Sequence, residues 1–284
     1  MKENLPTLCV CGAGTMGSGI AQVAATAGCP TILYDVAEER LQQAKARIEN
    51  DLGKLVAKQK MTEEEKEAAL QRLVYTTDME QCVAQVVIEA IVEELEAKVS
   101  LLARLAQING VQTLLASNTS SLSLLQIARQ VPNSQRVVGL HFFNPAPLMK
   151  LVEVVYTEFT TTGILEQATD LVRLLQKTPV VCKDAPGFIV NRVARPYYLE
   201  ALRLAEEGVG DYETIDRLLE GAGFKMGPFR LMDLIGNDIN YTVSCSVYEQ
   251  LRRPGRLRPS ALQQQKVEKG ELGRKSGRGY YHYE

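Results

Sequence analysis

The chain has 284 residues, of which 45% are hydrophobic and 23% charged, and its formal net charge is −2 with both signs interspersed. That is the balance of a folded globular protein, and it supplies neither the basic stripe of a nucleic-acid binder nor a polybasic patch for a membrane surface. No apolar stretch approaches the length of a bilayer span, and the opening Met1-Lys2-Glu3-Asn4-Leu5-Pro6 leads into no apolar run of the signal-peptide kind, so the cytoplasm is the expected location.

A chain of this length exceeds one ordinary core, so a large domain plus a smaller one is expected. The first strand-like run covers residues 7–11, and Gly12-Ala13-Gly14-Thr15-Met16-Gly17 follows it and opens a helix carrying Ile20, Ala21, Val23 and Ala24. Between strand and helix the three glycines serve different ends. Gly12 allows the tight turn, Gly14 the close approach of backbone to a diphosphate, and Gly17 the contact of helix on strand. The diphosphate belongs at the helix N-terminus, against Gly12, Gly14, Thr15, Met16 and Gly17. The next run, residues 31–34, ends at Asp35, whose carboxylate can accept from both ribose hydroxyls of an adenosine half and would repel a 2′-phosphate. NAD rather than NADP is therefore the expected cofactor.

Residues 38–60 read as a long helix with Leu41, Ala44, Ile48, Leu52 and Leu55 on one stripe, and Thr62-Glu63-Glu64-Glu65 has the form of a capping box that starts a second helix. A helical hairpin this long is expected to project from the sheet as an insertion. Further strand-like runs at residues 86–91, 113–116 and 136–142 alternate with helical segments, the pattern of a Rossmann-type, doubly wound parallel sheet.

Two polar clusters follow these runs. Ser117-Asn118-Thr119-Ser120-Ser121 comes after one strand, and His141 ends another, just before Phe142-Phe143-Asn144-Pro145. Ligands in such sheets gather at the carboxyl ends of strands, which sets both clusters at one crevice. Each has a plainer reading as well, because a lone histidine is more often structural and a Ser/Asn/Thr run commonly caps the next helix. The only other histidine, His282, lies close to the C-terminus. With two histidines and six cysteines that form no CxxC pair, no metal is expected, and most of the cysteines sit in apolar runs as small hydrophobes.

Strand signals stop after Val180-Val181, and Ala185-Pro186-Gly187 marks a break. Beyond it, residues 188–207 read as one helix interrupted by Pro196, and residues 212–219, 230–234 and 240–251 are apolar at helical spacing. The expected division is a nucleotide-binding domain over residues 1–185 and an all-helical domain over residues 186–284. The basic run from Arg252 to Arg258 contains Pro254 and Gly255 and reads as a solvated loop.

Residues 12–19, Glu89-Ala90-Ile91-Val92-Glu93, 116–121, 141–145 with 149–154, 183–192, 226–236 and 272–281, taken in order, resemble the 3-hydroxyacyl-CoA dehydrogenase family over nearly the whole chain. Residues 61–78 and the ending 273–280 look most like its bacterial 3-hydroxybutyryl-CoA members. The resemblance implies NAD-dependent oxidation of an (S)-3-hydroxyacyl-CoA to the 3-oxoacyl-CoA, and the reverse reduction. It implies that His141 is the general acid/base, that Glu153 orients it and stabilises its charged form, and that Ser120 and Asn191 hydrogen-bond substrate oxygens. Cofactor contacts are implied for Asp35, Glu93, Lys98, Ser120, Asn144 and Lys275, and Lys58 becomes a candidate for the CoA phosphates. The partners implied are an acyl-CoA and a second copy of the chain, in a homodimer formed through the helical domain. Without the resemblance, Glu93 reads as an acid at a helix N-terminus and Lys98 as a surface cation on the same helix. The chain departs from the mammalian mitochondrial members at Asp51, where those have a serine against CoA, so an acid here would oppose phosphate.

Elementary chemistry agrees with this assignment, because oxidising a secondary alcohol needs a base for the hydroxyl proton and a neutral imidazole can serve near pH 7. Two other readings stand beside it. One is a different β-hydroxyacid dehydrogenase, in which a lysine serves as base; the other is a non-catalytic, crystallin-like NAD(H)-binding protein.

Overall fold

The computed structural model describes residues 5–283; residues 1–4, where the opening read for a leader lies, and residue 284 are outside the described residues. The chain divides into two compact units, one running up to Asp184 and the other from Ala185 onward.

In the first unit, β1 (Leu8–Cys11), α1 (Thr15–Thr26), β2 (Thr31–Tyr34), α2 (Glu38–Ala57), α3 (Glu63–Gln71) and β3 (Leu73–Thr76) come first in the chain. They are followed by β4 (Val86–Glu89), α4 (Leu95–Ile108), β5 (Leu114–Ser117), α5 (Leu124–Ala128), β6 (Val137–Phe142), β7 (Leu151–Tyr156), α6 (Thr162–Leu174) and β8 (Thr178–Lys183). The eight strands form one sheet in the order β3-β2-β1-β4-β5-β6-β7-β8. Every neighbouring pair is parallel except β6 with β7. The chain works outward from β1 to β3, then returns to continue from β4 on the other side, so the switch of direction falls between β1 and β4. In such sheets ligands bind at that point, outside the carboxyl ends of the strands.

Burial explains the strand sequences. All four residues of β1, β4 and β5 are buried, as expected where helices cover both faces of a parallel sheet and alternation with polar residues disappears. Helix α2 buries Leu41, Ala44, Ile48 and Leu52, the stripe legible in the sequence. The Thr62 hydroxyl accepts from the Glu65 N–H while the Glu65 carboxylate accepts from the Thr62 N–H, so the capping box starts α3. Beyond α3 the structure adds a strand that the sequence did not single out. β3 pairs in parallel with β2, so the helical hairpin also serves as the crossover between two strands. With one residue of Leu73-Val74-Tyr75-Thr76 exposed and one half-buried, this edge strand carries too little apolar pattern to stand out.

The second unit consists of α7 (Val190–Glu206), α8 (Tyr212–Gly221), α9 (Pro228–Ile235), α10 (Asn237–Gln250) and α11 (Ala261–Glu268). Helix α7 starts at Val190 rather than at Phe188 because Gly187 and Phe188 both take positive φ, at 72° and 48°, which turns the chain before the helix can propagate. The core gathers Leu199, Leu202, Phe229, Met232, Val247 and Tyr280. Rings of Tyr212, Phe229 and Tyr280 meet pairwise at centroid distances of 4.7, 4.9 and 5.0 Å.

The fully buried carboxylate of Asp233 fixes the C-terminal segment of this unit. It accepts from the backbone N–H groups of Tyr280 and Tyr281, both at 3.0 Å, from the Tyr283 hydroxyl at 2.9 Å and from the Asn237 amide at 2.9 Å. Asp233→Asn keeps the shape but puts an NH2 group against these donors, leaving buried N–H and O–H groups unpaired. The unfolding free energy should fall by about 2–4 kcal/mol, read as the shift in urea midpoint, whereas an unchanged midpoint would mean the segment is held by its aromatic packing alone.

Candidate active site

Sheet register builds the centre of the site. β6 and β7 run antiparallel with His141 directly opposite Glu153, and the two side chains meet with His141 Nδ1 2.7 Å from Glu153 Oε2. Both residues are buried, at 5% and 0% exposure. A carboxylate only accepts, so the ring carries its hydrogen on Nδ1 and Nε2 becomes the basic nitrogen. The Phe143 ring lies 4.5 Å from the imidazole and limits its rotation.

Beside this pair stands the turn after β5. Its anchor is Glu93, whose Oε1 accepts from the Ser120 and Ser121 backbone N–H groups at 2.8 and 2.9 Å, from the Thr119 hydroxyl at 2.7 Å and from the Ser120 and Ser121 hydroxyls at 3.3 and 3.0 Å. Asn118 ties the same turn to β6 by accepting from the Phe142 N–H at 2.9 Å. Burial works to raise the pKa of the Glu93 carboxyl, yet the Lys98 ammonium and the bonds from Thr119, Ser120 and Ser121 outweigh it and hold the group below the usual carboxylate range. This fastening is therefore at full strength above the ordinary glutamate range and is lost as pH falls through the depressed folded-state value.

Lys98 corrects the surface-cation reading. It is 1% exposed, with Nζ 2.6 Å from Oε1 of the fully buried Glu89 and 3.2 Å from Glu93 Oε2. Glu89 in turn accepts from the Ser117 hydroxyl at 2.6 Å and from the Ile91 N–H at 2.8 Å. The ammonium is committed to two carboxylates, so it acts on whatever binds here by positioning Glu93.

At the glycine turn the backbone fits a dinucleotide. Gly12 has φ +104°, and a Cβ there would lie 2.6 Å from the Ala90 carbonyl oxygen; at Gly17 one would collide with the Gly12 carbonyl. At Gly14 a Cβ would meet nothing within 4 Å, so its face opens onto space where a diphosphate can approach. No side chain caps the N-terminus of α1, which leaves the N–H groups from Thr15 and Met16 onward to an anion. Asp35 Oδ2 accepts from the Ala13 N–H at 2.8 Å and Oδ1 from the Ala37 N–H at 3.0 Å. Those bonds lock the carboxylate at the end of β2, and of its roughly four acceptor positions the remainder can serve a ribose.

A cavity of about 370 Å³ lies between α1, α2 and the segment after Asn144, lined by Arg47, Asp51, Lys54 and Lys58 among others. Asp51 is ion-paired with Lys54 at 2.8 Å, so the acid that departs from the mammalian pattern has its charge countered from one turn along the helix. Asn144 is exposed at the far wall of this cavity. Asn191 and Lys275 belong to the second unit. The Asn191 carbonyl accepts from Arg195 Nε at 3.0 Å in the first turn of α7, and Lys275 pairs with Asp238 at 2.6 Å.

Sequence reasoning gave no role to Glu89, Arg47 or Lys54. Glu89 was legible as an acid in an otherwise apolar strand, which requires a buried partner. Residues 47, 51, 54 and 58 recur at helical spacing, the sign of one charged face.

Comparison with known proteins bears on the same segments. The family model described as 3-hydroxyacyl-CoA dehydrogenase, NAD binding domain, matches residues 7–185, and that of the 3-hydroxyacyl-CoA dehydrogenase C-terminal domain matches residues 187–283. A 3-hydroxyadipyl-CoA dehydrogenase of Escherichia coli is 50% identical over 99% of this chain, which spans 60% of that protein's length. The 3-hydroxybutyryl-CoA dehydrogenase of Mycobacterium tuberculosis is 38% identical over the full length of both. Among solved structures, a 3-hydroxybutyryl-CoA dehydrogenase from E. coli superposes with a TM-score of 0.95 at 49% identity, covering 99% of this chain and 60% of that one.

Removing the cation from the buried network should be costly. Lys98→Met leaves Glu89 sealed without its partner and should lower stability by about 3–5 kcal/mol, while adding Glu89→Gln should recover much of the loss. Urea denaturation of the single and double variants checks this; a loss below about 1 kcal/mol in Lys98→Met would show that the pair is not sealed from water.

Proposed function

Because the chain belongs to the 3-hydroxyacyl-CoA dehydrogenase family, we propose that it interconverts (S)-3-hydroxyacyl-CoA and 3-oxoacyl-CoA with NAD, taking 3-hydroxybutyryl-CoA as substrate. The observation that carries this reading is the buried His141–Glu153 contact of 2.7 Å at the carboxyl end of β6, in the sheet whose β1 and β2 ends hold the dinucleotide features.

NAD, the family's cofactor, supplies the hydride acceptor when bound, held by the α1 N-terminus, Gly12, Gly14, Thr15, Met16, Gly17 and Asp35, with Glu93, Lys98, Asn144 and Lys275 in support. In the oxidising direction His141 takes the hydroxyl proton on Nε2 and returns it in the reducing direction. Glu153 keeps the ring in the Nδ1–H tautomer and fixes its orientation, as a buried acid behind a histidine does in other enzymes. Ser120, whose hydroxyl would turn from its 3.3 Å bond to Glu93, and Asn191 donate to the substrate oxygens and hold them without changing their charge. Arg47 and Lys58 offer cations to the phosphates of CoA, with Asp51 neutralised by Lys54.

A second reading of chain length has its own support, since the 50% identical relative is named for a 3-hydroxyadipyl substrate. Turnover of C4 to C10 acyl-CoA compared with 3-hydroxyadipyl-CoA decides between them.

His141→Gln should lower turnover of acetoacetyl-CoA with NADH by about 10² to 10⁴, roughly 3–5 kcal/mol of barrier, with NADH affinity nearly intact. NADPH should support far less turnover than NADH in the unaltered chain, because Asp35 repels the 2′-phosphate. Near-normal turnover in the variant would assign the proton to another group. NADH saturation without any reduction by the unaltered chain would favour the non-catalytic reading.

We also propose a homodimer through the helical unit, where Leu218, Phe224 and Leu234 are exposed at 69%, 50% and 49%. Sedimentation at micromolar concentration should give twice the chain mass, and a monomer would refute the proposal.

A further inference from the structure

The reaction proposed above makes no use of a cluster on the opposite face of β1 from its core side chains. Leu8 and Val10 pack into the core with α1 and α2, so the alternate residues Cys9 and Cys11 point to the other face. There they meet Cys82, which follows a short 3-10 turn at Met79–Gln81. All three thiols are fully buried, and their sulfur atoms lie within 4.8 Å of one another, with Cys9 and Cys11 at 3.8 Å. Apolar filling explains why each is buried but not why three sulfurs converge.

We propose that Cys9, Cys11 and Cys82 form a three-coordinate site for a soft, thiophilic metal ion of the monovalent copper class. A metal–sulfur bond of about 2.3 Å in trigonal geometry sets sulfurs about 4 Å apart, so the observed spacing needs only a small contraction. Two of the ligands are rigid, because β1 is paired on both edges, Cys9 with Ile32 and Val87 and Cys11 with Tyr34 and Glu89. The third sits on a connection beside Val83, which is 59% exposed, and local opening of that connection gives an ion its way in.

The donor set selects the ion. No histidine or carboxylate joins the three sulfurs among the described residues, so zinc would lack the fourth ligand its tetrahedral preference demands, whereas sulfur-only, low-coordinate surroundings suit Cu(I).

The test titrates the reduced, full-length chain with Cu(I) under anaerobic conditions against a competing chromophoric chelator, with Zn(II) in a parallel arm. One Cu(I) per chain should be retained, with near-UV sulfur-to-copper absorption, release of thiol protons and a higher Tm. Cys82→Ala and Cys11→Ala should abolish retention, and Cys245→Ser, which alters a thiol outside the cluster, should not. X-ray absorption on the copper-loaded unaltered chain should count three sulfur neighbours, a measurement independent of how the variants fold. Failure of the unaltered chain to hold copper against the chelator, retention in Cys82→Ala, a preference for Zn(II), or a sulfur count other than three would each overturn the proposal.

Discussion

The ammonium of Lys98, sealed between Glu89 and Glu93, is the contact on which the arrangement of the first unit's ligand-facing edge depends. Glu89 closes the end of β4 and takes the Ser117 hydroxyl from β5, while Glu93 gathers the turn from Thr119 to Ser121. Two strands, one helix and the turn presenting Ser120 thereby share a single cation. Charges as deep as Lys98 and Glu89 cannot be left alone, because leaving either buried without the other would cost several kcal/mol. The network is thus held together by the penalty for opening it, and the Ser120 turn inherits that rigidity.

A second constraint is the reversal of strand direction between β6 and β7. Residue-to-residue pairing within the sheet, here antiparallel, is what brings the acid to the histidine. The antiparallel step sets Glu153 opposite His141 by backbone pairing, and the two side chains meet at 2.7 Å. Orientation of the imidazole therefore rests on sheet hydrogen bonds, which are less mobile than a loop.

The helical unit follows a different logic. Its helices bury a modest apolar core, and its last residues are fastened by one carboxylate, Asp233, rather than by secondary structure. In an apolar interior a charged acceptor with four donors about it is stronger than neutral bonds of the same number, which lets a tail without helix or strand hold a defined path.

The sequence by itself determined the class of fold, the dinucleotide turn and the cofactor, because these depend on local pattern. Buried strands are continuous apolar runs, Gly12 and Gly17 occupy places where a Cβ would strike backbone, and Asp35 follows its strand at once. Resemblance to a family supplied His141 and Glu153 as a pair, which spacing alone left open. Tertiary structure decided what depends on residues distant in the chain: that Lys98 faces inward to Glu89, that β3 follows the hairpin as an edge strand, that Lys54 counters Asp51 beside a cavity, and that Cys82 comes to lie against Cys9 and Cys11. Helical periodicity gives the face on which a charge sits but not what that face meets, and a short edge strand has too little burial to show in its sequence. Those outcomes are set by packing and desolvation, which act only once the chain has closed on itself.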